Sequence, residues 1–138
     1  MATTVTQSPN RLLGAVFGVV YLLIGIVGFF ITPGVDFAGT EGVNLIIFEI
    51  NPLHNIIHLA IGAALLIAAL RSVPAAKGVN ITVGAVYLLV GVLGLFILDS
   101  ALNILALNAA DNVLHLASAA ILLIVGLSQD KTVAARVA

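Results

Sequence analysis

Two short segments carry most of the side chains able to do chemistry. "NPLHNIIHL" (Asn51 to Leu59) holds two of the three histidines, and "NAADNVLHL" (Asn108 to Leu116) holds the third. His54 and His58 stand one helical turn apart, a spacing that turns two imidazoles toward one metal ion. Asp111 and His115 repeat that spacing, so the four residues together would offer three imidazoles and a carboxylate. His58 and His115 could instead hold the iron of a haem b from its two faces. A third reading needs no ligand: His58 and His115 bond the amides of Asn55 and Asn112 and fasten helices together. In a fourth, the same cluster is a proton-titrating or small-ligand pocket open to the outside.

The elements that must position these residues follow from composition. The chain has 138 residues, of which 62% are hydrophobic and 8% charged, a balance found in membrane proteins and not in soluble domains. Four apolar segments, about 12–31, 52–70, 81–98 and 109–127, each approach the ~20 residues needed to cross a bilayer. They use nearly the whole chain, which is read as a single membrane domain over 1–138. The absence of cysteine excludes disulfide and thiolate chemistry. Arg11, Arg71, Lys77, Lys131 and Arg136 all fall before the first segment, between the second and third, or after the fourth. The positive-inside rule then places both termini in the cytoplasm of a multi-pass protein of the inner or plasma membrane. The histidine segments accordingly begin at the outer face.

The sequence also repeats itself. "GVVYLLIGIVGFF" (Gly18 to Phe30) aligns with "GAVYLLVGVLGLF" (Gly84 to Phe96), and "NPLHNIIHLA" aligns with "NAADNVLHLA". Two units, about 12–70 and 81–127, would insert the same way up and be related by a pseudo-twofold axis along the membrane normal. Helical spacing puts Asn55 and His58 on one face, as it does Asn112 and His115. Tyr21, Gly25 and Gly28, like Tyr87, Gly91 and Gly94, form facing stripes. Equal depth pairs Gly28 with Asn55, Gly25 with His58 and Tyr21 with Gly62, the glycines letting the backbones close on the polar stripe. Asn51 with Pro52, and Asn108 with Asp111, read as helix starts. His54 and Asp111, in first turns, are expected near water. The apolar "VNLIIFEI" (Val43 to Ile50) reads as a short interfacial helix or wedge, and the two tails as polar and flexible.

The "YLLxGxxG" first helix, the "NxLHNxxHL" second and the "NxADNxLHL" fourth resemble the bacterial domain-of-unknown-function family 4383, small four-helix membrane proteins. The resemblance runs from about Leu12 to Leu127 and implies architecture without an activity, catalytic residue or cofactor.

The expected fold is therefore all-α, a four-transmembrane-helix bundle of two parallel two-helix repeats. No nucleophile–base pair, phosphate-binding glycine loop or paired intramembrane carboxylates occur, so an enzyme is not expected. A net charge of −1 gives nucleic-acid binding no electrostatic support. The first reading is a structural or accessory subunit of a larger membrane complex or homo-oligomer. The alternative is a metal-, haem- or small-ligand-binding bundle that uses His58 and His115.

Overall fold

A computed structural model describes residues 4–131. A single 3-10 turn, Val5–Gln7, leads into α1 (Pro9–Ile31). The chain continues through β1 (Val43–Leu45), β2 (Phe48–Ile50), α2 (Pro52–Arg71), α3 (Val73–Ile97) and α4 (Ala109–Ser128). All four helices are long and apolar enough to cross a membrane. The protein is an all-helical, four-helix membrane protein decorated by one short hairpin.

Each helix begins where a small polar side chain can take up an orphan amide. Ser8 accepts from Arg11 N at 3.3 Å, Asn51 from His54 N at 2.9 Å, Ser72 from Ala75 N at 3.2 Å and Asn108 from Asp111 N at 3.0 Å. Asp111 returns the bond by accepting from Asn108 N at 3.0 Å, which completes a capping box. The expected caps at Asn51 and Asn108 are thus present. Helix 3 begins earlier than the expected residue 81, because Ser72 both ends α2 and caps α3, with a proline in the first turn. α1 likewise starts at Pro9, behind the Ser8 cap.

Segment 43–50 is not a helix. Its β-branched and aromatic residues pair as an antiparallel hairpin, Val43 with Ile50 and Leu45 with Phe48, around a turn in which Ile46 has a φ of 65°. Glu49 accepts from Gly42 N at 2.8 Å and steadies the approach to this hairpin. A parallel bridge between Gly39 and Leu105 ties the 32–42 loop to the 98–107 loop. Asn51 Nδ2 donates to Ile104 O at 2.9 Å, and Asn108 Nδ2 to Ile47 O at 2.9 Å. These bonds make one lid over the ends of the bundle, called here the hairpin end.

Lateral packing is governed by glycine. A Cβ at Gly18 would lie 2.7 Å from Leu66 N, and one at Gly62 2.7 Å from Leu22 N, so α1 and α2 run backbone against backbone. On the other side Gly84 and Gly91 receive Leu123 and Leu116 of α4. The two pairs, α1 with α2 and α3 with α4, pack extensively, whereas contacts between the pairs are sparser. Tyr21, Leu65, Val83, Tyr87, Ala119 and Leu122 fill the seam between them. Large apolar side chains such as Leu23, Leu89 and Ile124 point outward, as lipid-facing residues do.

At the opposite, basic end the described parts of the expected flexible tails, residues 4–10 and 128–131, are partly tied to the bundle, and the rest of the tails lies outside the described residues. Ser8 and Asn10 are fully buried, and the Asp130 carboxylate accepts from Ser8 Oγ at 2.8 Å, Asn10 Nδ2 at 2.9 Å and Asn10 N at 3.2 Å. Partial burial alone would raise the Asp130 pKa. The hydrogen bonds from Asn10 and Ser8, with the nearby Lys77 charge, outweigh it and hold the carboxyl below its ordinary value. Asn80 Nδ2 donates to Asn10 O at 3.0 Å, Arg11 Nε to Ala69 O at 2.6 Å and Lys77 Nζ to Gln129 O at 2.9 Å. Arg136 lies outside the described residues.

Candidate histidine site

The first turns of α2 and α4 lie diagonally across the seam beneath the lid, and the rings of His54 and His115 meet between them at 5.9 Å. His58 and His115 are 3% and 2% exposed, as their stripes require. His54, expected near water, is only 1% exposed, and Asp111 is equally buried. The reason is the lid: the backbone of Glu49 in β2 and of Leu105 in the 98–107 loop faces the His54 ring. Long-range loop closure, invisible to helical periodicity, removes the first turn of α2 from solvent.

Three imidazoles and two phenols form a closed circuit of rings. Centroid separations are 5.3 Å from Tyr21 to His58, 4.4 Å from His58 to His54 and 5.9 Å from His54 to His115. His115 lies 5.0 Å from Tyr87, and Tyr87 5.4 Å from Tyr21. One ring nitrogen from each of His54, His58 and His115 can be chosen so that all lie within 4.8 Å of one another. Both nitrogens of His58, and Nδ1 of His54 and of His115, are buried without a hydrogen-bond partner. Such atoms cost about 1–3 kcal/mol each when left unsatisfied, and four of them face one another here. A cavity of about 120 Å³ is lined by all three histidines together with Tyr87, Ile57, Ile61, Val86, Val90 and Leu105. A second, of about 90 Å³, lies on the other flank of His58 and touches Asp111.

The asparagines do something other than bond the imidazoles. Asn55 Nδ2 donates to Thr32 Oγ1 at 3.2 Å, and its Oδ1 lies against Gly28 in space that any Cβ there would claim. Asn112 lies on Gly94 in the same manner. Each amide thus fills the notch left by a glycine, close to a Cα–H···O contact. The expected pairing of Gly28 with Asn55 is present, but Gly25 meets Leu59 and the carbonyl of Asn55, not His58. Gly62 meets Gly18 and Leu22, because Tyr21 turns into the seam and donates to Ser118 Oγ at 2.9 Å. The glycine stripes therefore face the adjacent helix of each pair, while the histidines face the seam.

Asp111 does not join the metal-like trio. Its Oδ2 accepts from Glu49 N at 3.1 Å as well as from Asn108 N, which commits it to holding the hairpin on the cap of α4. A haem does not fit between His58 and His115: a cavity of about 120 Å³ is well below the ~300 Å³ at which pockets for drug-sized molecules begin. Asn103 escaped the sequence reading. Its side chain donates to Leu98 O at 3.0 Å and Leu107 O at 2.9 Å and accepts from Leu107 N at 2.8 Å, bracing the loop that walls the site. A lone asparagine in the apolar "ALNILAL" was the available signal.

No curated protein and no solved structure matches the chain. The family model described as a domain of unknown function (DUF4383) matches residues 11–128, a span that includes all four helices nearly end to end, the three histidines and the lid. By that match the chain belongs to the DUF4383 family of small proteins whose activity its name leaves open.

Proposed function

We propose that the protein binds one late first-row transition metal ion, zinc or copper, through His54, His58 and His115. The observation that carries this is the set of three buried imidazoles with donor atoms within 4.8 Å of one another and Nδ1 unpartnered in each. A tetrahedral zinc with bonds of ~2.0–2.1 Å separates its nitrogen ligands by about 3.4 Å. Contraction by at most about 1.4 Å, within reach of small imidazole rotations, brings the set to that geometry. Imidazole suits zinc and copper, and the absence of thiolates and of a free carboxylate argues against harder or softer ions. The backbone against His54 fixes its ring, as outer-shell carbonyls do for metal-binding histidines.

In this reading the helix pairs are two copies of one unit about an axis along the membrane normal. The matched contacts of Asn55 on Gly28 and Asn112 on Gly94, and of Leu59 on Gly25 and Leu116 on Gly91, support it. The basic residues at the end opposite the lid support cytoplasmic termini in a bacterial plasma membrane, which puts the metal in the outer half of the bilayer. Service in a larger assembly is a second reading, favoured by Ile46 and Leu102, which are 86% and 71% exposed at the tips of the lid.

Metal analysis of protein purified in mild detergent without chelator, with zinc and copper titration, tests the metal reading. One ion per chain is expected, lost in His58→Gln and His115→Gln, with cobalt substitution giving tetrahedral visible bands. A chain with all three histidines intact that shows no saturable uptake of either metal refutes it. A blue-native gel tests assembly: co-migration with stoichiometric partners supports the second reading, and a free bundle removes it.

A further inference from the structure

The histidine cavity has an apolar neighbour. A groove of about 350 Å³ lies between α2 and α3 under the 98–107 loop, walled among others by Leu53, Ile57, Val90, Leu93, Ile97 and Leu105. Ile57, Val90 and Leu105 also line the histidine cavity, so only three apolar side chains stand between the two spaces. The groove offers no hydrogen bond: Asn103, its polar residue, has its side chain committed to the backbone of Leu98 and Leu107. α2 and α3 are joined at the far end through Ser72, and the groove-lining Leu93, Leu102 and Ile104 are exposed on the outer surface of the bundle. Its occupant is therefore a molecule dissolved in the bilayer, with a hydrocarbon tail.

The head of that molecule is set by charge. Three neutral imidazoles around a divalent ion leave two positive charges in a low-dielectric interior, a costly state without an anion. Asp111 is not among the side chains whose donor atoms converge, and its Oδ2 accepts from Asn108 and Glu49, so the anion is best supplied from outside. At ~30 Å³ for each water-sized group, a cavity of about 120 Å³ has room for a carboxylate and one or two methylenes, not for a glycerophosphate. The groove, at about 350 Å³, takes one chain and not two. A carboxylate oxygen is also an established zinc ligand at ~2.0–2.2 Å.

We infer that the site receives a long-chain fatty acid laterally from the bilayer, its carboxylate at the open position of the metal and its tail in the α2–α3 groove. This inference rests on the metal reading of the three histidines. The test uses zinc-loaded full-length protein in phosphatidylcholine nanodiscs with stearic acid carrying a nitroxide on its chain, read by electron paramagnetic resonance. The expected result is a saturable immobilised component, absent for the methyl ester of the same probe and displaced by unlabelled stearate. Leu93→Trp, which fills the groove from a position that does not line the histidine cavity, should lose that component while keeping its zinc. Equal immobilisation of the methyl ester, a comparison made on the unaltered chain, overturns the inference. So does persistence in a zinc-bound Leu93→Trp protein, or displacement by a neutral quinone but not by stearate. Each of those outcomes leaves the metal site standing, whereas a wild-type chain that holds neither zinc nor copper removes both.

Discussion

Gly18→Ala is the sharpest test of how the bundle is held together. The added methyl would lie 2.7 Å from Leu66 N and 2.9 Å from Gly62 O, both backbone atoms that cannot rotate away. Restoring an ordinary contact requires α1 and α2 to part by about 0.7 Å, which loosens the matched approach at Gly62 as well. Overpacking of this kind costs about 1–3 kcal/mol, and the rigidity of the neighbours puts this site near the top of that range. Alanine returns about 1 kcal/mol of helix propensity, leaving a net loss of about 2 kcal/mol. Gly78 in α3 is the internal control, since a Cβ there meets nothing within 4 Å. Gly78→Ala should therefore gain about 1 kcal/mol, so the two variants differ by about 3 kcal/mol. At about 4 °C per kcal/mol for a chain of this size, thermal unfolding in detergent should separate their Tm values by about 12 °C. Equal Tm values for the two alanine variants would refute the backbone-contact account.

Two further outcomes follow from the ends of the bundle. Asp130 has a depressed pKa, so the contribution of its clasp to stability is present above the ordinary carboxylate range and is lost as pH falls through the depressed folded value. The protection factor of the Asn10 amide against hydrogen exchange should drop over that acid window, and Asp130→Asn should abolish the pH dependence. At the hairpin end, Asn108→Ala removes both the cap on Asp111 N and the bond to Ile47 O. A loss of about 1–2 kcal/mol is expected in thermal unfolding, with weakened protection of the Glu49 amide that Asp111 receives.

The number, type and approximate limits of the helices were readable because length and hydropathy decide them. So were the caps at Asn51 and Asn108, whose mechanism is local. The start of α3 was not. Lys77 and Asn80 look like loop residues until Gln129 O and Asn10 are seen to satisfy them across the bundle. The hairpin was also hidden, since a short apolar run such as "VNLIIFEI" is ambiguous between helix and strand. His58 and His115 were legible as inward-facing from their period. The burial of His54, and the withdrawal of Asp111, depended on where the lid lands, and that is set by contacts between loops far apart in sequence.

The position of the histidines follows from the two kinds of packing in the bundle. Within each helix pair, glycine brings backbones so close that no ligand-sized space survives. Between the pairs the contacts are sparser, and the cavities beside the histidines open there. A bundle of uniformly tight seams would strand polar side chains against hydrocarbon, at several kcal/mol for each unsatisfied group. A seam left loose beside the histidines gives them shared space, while the clasp of Asn10, Asn80 and Asp130 closes its far end. The glycines thus act on the site indirectly: by making each pair rigid, they leave the seam as the place with room beside the histidines. Gly18→Ala, which pries one pair apart, should on this argument also weaken metal uptake although Gly18 touches none of the histidines.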